Sequence, residues 1–569
     1  MPVTNRSEQD PPTASITIPP VIPYRTIIGI TGHRRLSDLN ALRDKLKEVL
    51  EREIYKIYDQ ETSKQLRKLQ HTPLAISLIT PLGEGADRLV AHEILKHPQA
   101  TLEVVLPLTK EDYCQDFQSQ SSNEEFELLF AQARKPICLR VTPIADQFNP
   151  EDQPEARRVA YKEVGHYVVD HCDILLALWD GKSAKGKGGV AEIVAYARDQ
   201  EQPLIIISTS DHQVHLENMG RLQAPALAGL ERWNQAVGSQ RISQDYIRNI
   251  YSDLFKNKEA ERITPSAKES VKTHLIPGYA LASSQAKSHQ KLYRWAGFLT
   301  YTFSALAVTG VGVALVLGKF FKWAFLLEFV LLLAIFSLVF LGSKIRAHKN
   351  WIESRFLVER IRSAIFFLIS GLEVTSKRLW DDPLHSDKQD DWMTRTFQET
   401  WNHFPLQNGA ETDQWNGLKE YNLKHWLNAQ LEFHQNTYSK SKKINMLFER
   451  GILVLFLLAI AAAVYHLLHY FFHLDWHLGF FDKVLYSFAI LLPAMAAALE
   501  GIRSQREYAR IENRSKKMVK ALAKIIRNFK SAEDDSSFEK GMYQAEQLML
   551  WETTDWMMLV RGQDLKIIV

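Results

Sequence analysis

The chain has 569 residues, a net charge of +3 and three widely spaced cysteines, Cys114, Cys138 and Cys172. The length predicts several modules rather than one core. The small net charge argues against a general nucleic-acid-binding protein, and we expect no direct binding of nucleic acid. The cysteine spacing argues against a disulfide framework or a cysteine metal site, and it fits a reducing compartment.

Residues 1–23 are rich in proline and contain no apolar run. This composition predicts a disordered leader rather than a secretion signal, so we expect the domain that follows to stay in the cytosol.

Residues 24–215 contain short β-branched runs that alternate with helical stretches, which predicts an α/β fold with a doubly wound parallel sheet. The runs are apolar nearly throughout, as expected for strands that are covered on both faces. The predicted strands are residues 26–30, 75–80, 102–106, 137–141, 174–179 and 204–208.

Three of these strands run directly into loops that contain glycine. Loops at the carboxyl ends of parallel strands line the ligand crevice, and glycine lets backbone N–H groups approach an anion. The loops therefore predict a site for a phosphate-bearing ligand. The predicted ligand-binding residues are Gly29, Thr31, Gly32, His33 and Arg34 after the first strand, Gly83, Glu84, Gly85 and Asp87 after the second, and Asp180, Gly181, Gly188, Gly189 and Glu192 after the fifth.

The acidic residues Glu84, Asp87 and Glu192 are placed to accept hydrogen bonds from ribose hydroxyl groups. For Asp87 and Glu192 the alternative is a first-turn carboxylate that stabilises its own helix. No metal site and no cofactor are predicted, apart from the expected nucleotide-derived ligand.

The second half contains four apolar stretches that are long enough to cross the ~30 Å hydrocarbon core as helices. They form two hairpins, within residues 279–375 and 421–569, and residues 216–278 and 376–420 are interpreted as connectors. Basic residues precede the first span and follow the second span of each hairpin. This pattern predicts cytoplasmic N- and C-termini and a multi-pass location in the plasma (inner) membrane. The predicted spans are residues 295–318, 323–343, 451–474 and 484–500.

The two hairpins look like copies of one unit. His289-Gln290 precedes the first hairpin and His434-Gln435 precedes the second, while Ile345-Arg346 and Ile502-Arg503 follow them. After the first hairpin, a helical stripe carries Trp351, Arg355, Glu359 and Arg362. This stripe is either a solvated face with an interface aromatic or a surface that packs against neighbouring subunits.

The three glycine-bearing loops resemble those of the SLOG superfamily, a Rossmann-like group of nucleotide-binding domains. The hairpins with their polar flanking helices resemble the SLATT family of two-transmembrane effectors, which occur beside SLOG domains in bacterial conflict systems. Together the two resemblances cover nearly the whole chain. They imply a homo-oligomeric membrane effector of antiphage defence: the α/β domain senses a nucleotide-derived ligand, and the membrane part responds by forming a pore or disrupting the bilayer.

The alternative is a membrane-tethered nucleotide hydrolase that cleaves an N-glycosidic bond, like the phosphoribohydrolases of the SLOG superfamily. Glu192 would then supply the catalytic carboxylate, and Arg134 is a candidate for the catalytic arginine. Laid on this chain from Ala184, the glycine-rich motif of those enzymes keeps a glutamate at Glu192 but has Ala184 where they have proline. It also loses a glycine and a threonine, so the resemblance favours a sensor over an enzyme.

Overall fold

The computed structural model describes residues 19–55, 71–134, 136–140, 142–182, 189–221, 227–239, 243–317, 321–372, 392–402, 415–472 and 480–560. Its contacts divide the chain into two compact units. The α/β unit comprises the described parts of residues 19–240 and 377–405, and the helical unit comprises those of residues 241–376 and 406–569.

The α/β unit is built on a seven-stranded sheet with the strand order β4-β3-β2-β1-β5-β6-β7. Strands β1 to β6 are parallel, and the edge strand β7 runs antiparallel to β6. The predicted α/β class with a mostly parallel sheet is thus confirmed, while β7 was not predicted. The strands are β1 Tyr24–Gly32, β2 Leu74–Thr80, β3 Ala100–Leu106, β4 Ile137–Cys138, β5 Ile174–Trp179, β6 Leu204–Ser208 and β7 Val214–Glu217.

Helices cover both faces of the sheet, and the sheet separates two apolar cores. The continuous apolar strands require this, because both of their faces must be removed from water. The helices of the unit are α1 Leu39–Val49, α2 Ala86–Ile94, α3 Lys110–Cys114, α4 Gln120–Phe130, α5 Ile144–Gln147, α6 Gln153–His171, α7 Val190–Asp199 and α8 Leu227–Gly238.

Strand β1 lies at the point where the strand order reverses. It pairs with β2 on one side and with β5 on the other, and the chain has added β3 and β4 beyond β2 before it returns to β5. In open α/β sheets, ligands bind outside the carboxyl ends of the strands at such a reversal. The topology therefore places the crevice between the loops that follow β1 and β5.

A helix from far along the chain completes this unit at the opposite, amino ends of the strands. This helix, Trp392–Asn402, is α14, and its Glu399 carboxylate is buried between two arginines. Glu399 accepts hydrogen bonds from Arg25 Nε at 2.7 Å and from Arg134 Nη2 at 3.0 Å. Arg25 also donates to Thr101 Oγ1 at 2.6 Å, so one guanidinium joins α14 to β1 and β3.

The helical unit contains the remaining helices. Within the described residues, four of them are long and apolar enough to cross a membrane, namely α11, α12, α16 and α17. These are the four regions predicted as spans. The helices are α9 Gln244–Phe255, α10 Pro265–Ser270, α11 Ile276–Leu317, α12 Phe321–Ile345, α13 Ala347–Ile369, α15 Trp415–Asn422, α16 Ala429–Phe472, α17 Phe480–Gln505, α18 Tyr508–Lys530 and α19 Asp535–Val560.

The same succession of elements occurs twice in the helical unit. A π-helical segment, Val271–Leu275 or Leu423–Asn428, leads into a helix of 42 or 44 residues, and a helix of 25 or 26 residues follows. Each succession then has one residue in the left-handed conformation, Arg346 with φ 47° or Glu507 with φ 55°, before a helix of 23 residues. The left-handed conformation makes Arg346 equivalent to Glu507. The sequence match paired Arg346 with Arg503 instead, which lies one helical turn before Glu507.

Glycines bring the first and fourth apolar helices, α11 and α17, close together. A Cβ atom on Gly501 would collide with the ring of Tyr301, and one on Gly312 would lie 2.9 Å from Leu491 Cδ2. Small residues permit close backbone approach, which is a main source of packing energy between helices in lipid. These contacts join the two hairpins to each other.

We expect Glu399→Ala to loosen the amino end of the sheet, because it leaves Arg25 and Arg134 without their shared carboxylate. Removing one partner from a buried charge network costs about 3–5 kcal/mol. Hydrogen exchange of full-length protein should show faster exchange in the β1 peptide. In the control Glu48→Ala, an exposed carboxylate that pairs with Lys45 and Arg52 is lost, and exchange should stay as in wild type. Equal exchange in both variants would contradict the role of Glu399.

Gly501→Leu should force α11 and α17 apart, because the new side chain occupies the space of the Tyr301 ring. Overpacking of this kind costs about 1–3 kcal/mol, so the unfolding temperature in detergent should fall. Gly451→Leu is the matched control, since a Cβ on Gly451 meets no atom within 4 Å among the described residues. The close approach is refuted if the two variants unfold at the same temperature.

Candidate functional site

A cavity of about 800 Å³ opens at the carboxyl ends of β1, β2 and β5, where the strand order reverses. Nine of the predicted ligand-binding residues line it, and they come from all three glycine-bearing loops. They are Thr31, Gly32, His33 and Arg34 after β1, Gly83, Glu84 and Asp87 after β2, and Asp180 and Gly189 after β5. The convergence of the three loops on one crevice follows from the parallel direction of their strands.

Four predicted ligand-binding residues do not line the cavity, and they hold the surrounding chain in position instead. A Cβ on Gly29 would lie 2.8 Å from Cys172 Sγ, so this glycine lets β1 approach α6. Gly85 has φ 82°, and a Cβ atom on it would collide with the carbonyl oxygens of His33 and Arg34. Gly181, with φ 77°, turns the chain after β5. Glu192 forms an ion pair with Lys162 at 2.6 Å. The fifth, Gly188, lies outside the described residues.

The loops after β1 and β5 are joined across the reversal point. His33 Nε2 accepts a hydrogen bond from the Asp180 N–H at 3.2 Å, and it lies 3.1 Å from Asp180 Oδ1. Burial would raise the pKa of Asp180, but the hydrogen bond from the Lys182 N–H and the proximity of His33 hold the pKa below its ordinary value. Asp180 is therefore ionised at neutral pH, and its position is fixed.

The loop after β2 is ordered by its own carboxylates. The Gly83 N–H donates to Asp87 Oδ2 at 3.0 Å. Glu84 Oε1 accepts from the Ser122 hydroxyl at 2.5 Å and from the Gln118 N–H at 3.0 Å. Burial would raise the pKa of Glu84, but these two hydrogen bonds lower it below the ordinary value.

Asp87 differs from the other two carboxylates, because its side chain is 7 % exposed. Burial raises its pKa to about 7, although hydrogen bonds from Gly83 and Thr80 and the charges of Arg34 and Arg88 act in the opposite direction. Desolvation penalises the charged form of a carboxyl group, so Asp87 is largely neutral below pH 7.

Several cavity residues come from helices and loops that the sequence patterns did not single out. Arg34 lies over the ring of Tyr161, with 5.0 Å between the guanidinium carbon and the ring centroid. The Tyr161 hydroxyl donates to Asp116 Oδ2 at 2.6 Å, which fixes the ring. Further lining residues are Arg35, Ser37, Tyr113, Arg158, Trp179, Lys182, Thr209 and Ser210. Arg158 and Tyr161 lie one turn apart in α6, and such a pair is too common in helices to indicate a binding site.

The charges of the cavity favour an anionic ligand. Among the described residues, four cationic side chains line it, Arg34, Arg35, Arg158 and Lys182, against three carboxyl groups, of which Asp87 is largely neutral below pH 7. The first residues of α7, Val190 and Ala191, also line the cavity, and the amino end of a helix carries partial positive charge. A phosphate group fits this environment.

Arg134, which the hydrolase alternative requires as a catalytic arginine, does not belong to this crevice. Its guanidinium is bound to Glu399 of α14, at the amino ends of the strands. Glu192 is held by Lys162. The described geometry therefore brings neither of the two residues to the cavity.

Comparison with known proteins identifies no relative: no family model, no curated protein and no solved structure matches the chain.

The pKa of Asp87 leads to a pH-dependent stability that Asp87→Asn should abolish. A carboxyl group whose folded-state pKa is raised stabilises the fold fully below the unfolded value of 3.8, and this contribution is lost as pH rises towards about 7. The substitution should therefore slow hydrogen exchange in the loop after β2 and in α2 more at pH 8 than at pH 5. An identical effect at both pH values would show that Asp87 does not titrate in this range.

Proposed function

We propose that the chain is a membrane effector of antiphage defence. Its α/β unit, related to the SLOG superfamily, senses a nucleotide-derived ligand, and its two SLATT-like hairpins respond by opening a pore or disrupting the bilayer. It acts as a homo-oligomer in the plasma (inner) membrane, with both termini in the cytosol. The observation that carries this proposal is the convergence of three glycine-bearing loops on one cationic crevice.

The crevice supports a nucleotide rather than a smaller anion. Its volume of about 800 Å³ lies in the range of sites for small organic ligands. Cationic side chains and the amino end of α7 offer a place for phosphate, while Tyr161 and Trp179 offer flat apolar surfaces for a base. Asp180 and Glu84 are acceptors at fixed positions for ribose hydroxyl groups.

The helical unit supports an effector in the membrane. Four helices are long and apolar enough to span a bilayer, and the duplicated succession of elements gives each chain two similar hairpins. A ligand can shift the membrane part between two states only by binding one of them more tightly. Since four spans are few for a pore, several chains would have to assemble around it.

Dye release from liposomes tests whether nucleotide binding in the crevice acts on the membrane. Full-length protein in dye-loaded liposomes is exposed to a panel of nucleotides and cyclic dinucleotides, and dye release is followed. Arg34→Gln should weaken binding of the active nucleotide about tenfold or more, because a hydrogen bond to a charged group is lost, and should shift dye release to higher concentration by the same factor. Arg52→Gln, an exposed arginine next to α1, is the control.

The proposal fails if Arg34→Gln releases dye as wild type does, or if no nucleotide of the panel causes release. Mass spectrometry of the recovered nucleotide tests the hydrolase alternative in the same samples. Recovery of free base and ribose phosphate with wild type, and of intact nucleotide with Glu192→Gln, would identify a tethered hydrolase and contradict the sensor.

A further inference from the structure

Two arginines meet where the first and the second hairpin are joined, Arg294 of α11 and Arg506, which directly follows α17. Arg506 Nη2 donates to the Arg294 carbonyl at 3.3 Å. Gln505 Nε2 donates to the Tyr293 carbonyl at 2.9 Å, and its side chain occupies the space that a Cβ atom on Gly297 would need. These contacts fix the end of α17 against α11 and hold the two arginines close together.

The charges of this pair are not balanced by the protein. Within the described residues neither arginine forms an ion pair, because Arg506 donates to a carbonyl and Arg294 lies over the ring of Trp351, 5.9 Å from its centroid. The charged group with the largest effect on Arg294 is Arg506, and no described carboxylate acts on it. Glu507, the next residue in the chain, is held by Arg510 at 2.6 Å.

The surroundings of the two arginines make this imbalance costly. Both side chains are half-buried, so water and salt screen their mutual repulsion less than they would on an open surface. A bound anion would remove the repulsion. A phosphate group is suited to this role, since guanidinium groups form paired, charge-assisted hydrogen bonds with its oxygens.

The position of the pair along the helices indicates which molecule supplies the anion. Residues 295–318, which follow Arg294 directly, contain no charged residue. The fourth predicted span ends at residue 500, and Arg506 lies six residues beyond it, about 9 Å along a helix. In a bilayer, both arginines would therefore lie at the level of the lipid headgroups.

An exposed aromatic surface adjoins the arginines on the side of the apolar segment. Trp295 is 52 % exposed and Phe298 is 36 % exposed, and their rings pack edge to face with 5.8 Å between the centroids. Phe298 follows Arg294 by one helical turn and so lies on the same face of α11. Aromatic side chains favour the boundary between headgroups and acyl chains, whereas a free phosphate ion has no apolar part to contact them.

We propose that Arg294 and Arg506 bind the phosphodiester group of an anionic phospholipid, and that Trp295 and Phe298 contact the upper part of its acyl chains. Basic sites between membrane helices on the cytoplasmic side bind anionic headgroups in this way. Each arginine belongs to a different hairpin, so the lipid holds the two hairpins together. The inference rests on the proposed location in a membrane and is independent of nucleotide sensing.

The test is native mass spectrometry of full-length protein in detergent, titrated with dioleoylphosphatidylglycerol or with dioleoylphosphatidylcholine. The two lipids share their chains and their phosphodiester, but the choline cation is repelled by the arginines. Wild type should bind the glycerol lipid about tenfold more tightly. Arg294→Gln and Arg506→Gln should each weaken its binding about tenfold, because a hydrogen bond between charged groups is lost, and should leave the choline lipid unaffected.

Two controls separate this site from general attraction to an anionic surface and from the nucleotide crevice. Lys443→Gln/Arg450→Gln removes two exposed cations from α16, of which Arg450 directly precedes the third predicted span, and should retain the lipid preference. Arg34→Gln, in the α/β unit, should also bind the glycerol lipid as wild type does. Unfolding temperatures without added lipid should not fall in Arg294→Gln, because the substitution removes a repulsion.

Three results would overturn the inference. Wild type may bear no preference between the two lipids, or the α16 control loses as much affinity as the arginine variants, which would mean attraction by surface charge alone. In the third, glycerol 3-phosphate binds as tightly as the glycerol lipid, which would identify a site for a soluble phosphate. If Arg294→Gln unfolds at a lower temperature than wild type without lipid but binds the glycerol lipid equally well, Arg294 serves packing, and the inference fails as well.

Discussion

Strand β1 is the constraint on which the α/β unit depends. It is the only strand that pairs with both β2 and β5 within the described sheet, so each half of the sheet is built outward from it. Because the chain finishes one half before it starts the other, the connections after β1 and β5 leave the sheet in different directions and open a crevice between them. The position of the candidate site is thus a consequence of strand order, before any side chain is considered.

Side chains then decide what this crevice can accept. Each carboxyl group is held by a specific donor: Glu84 by the Ser122 hydroxyl, Asp87 by the Gly83 N–H and Asp180 by the Lys182 N–H. Burial keeps Asp87 largely neutral below pH 7, whereas hydrogen bonds keep Asp180 charged. The crevice therefore combines fixed acceptors with a surplus of cations, which is the pattern that a sugar phosphate needs.

Sequence reasoning succeeded where the signal is local. Strands buried on both faces are continuously apolar, and helices that could span a membrane are long and almost free of charge, so both could be predicted from short windows of sequence. It missed β7, an edge strand whose residues include His215 and Glu217 and whose pairing is with β6 alone among the described strands. It also missed Tyr161 and Arg158, because the crevice gathers them from a helix through tertiary packing that leaves no periodic mark.

The role of α14 was the least predictable feature. Residues 376–420 read as a polar connector, yet Glu399 within them is buried against Arg25, which is 374 positions away. No local pattern can report a partner at that distance. The same limit applies to the stripe of Trp351, Arg355, Glu359 and Arg362. Its residue types fit a solvated face, yet Trp351 is buried and Arg362 donates to the Tyr279 hydroxyl of the same chain.

The distance between Arg25 and Glu399 has a consequence for biosynthesis. A ribosome that adds about 5–20 residues per second needs roughly 20–75 s to travel from one to the other. During this interval the first hairpin has already been synthesised, while the amino end of the sheet still lacks the carboxylate that balances its two arginines. The nascent α/β unit must therefore wait in an unfinished state, and its last helix arrives only after the first pair of apolar segments has left the ribosome.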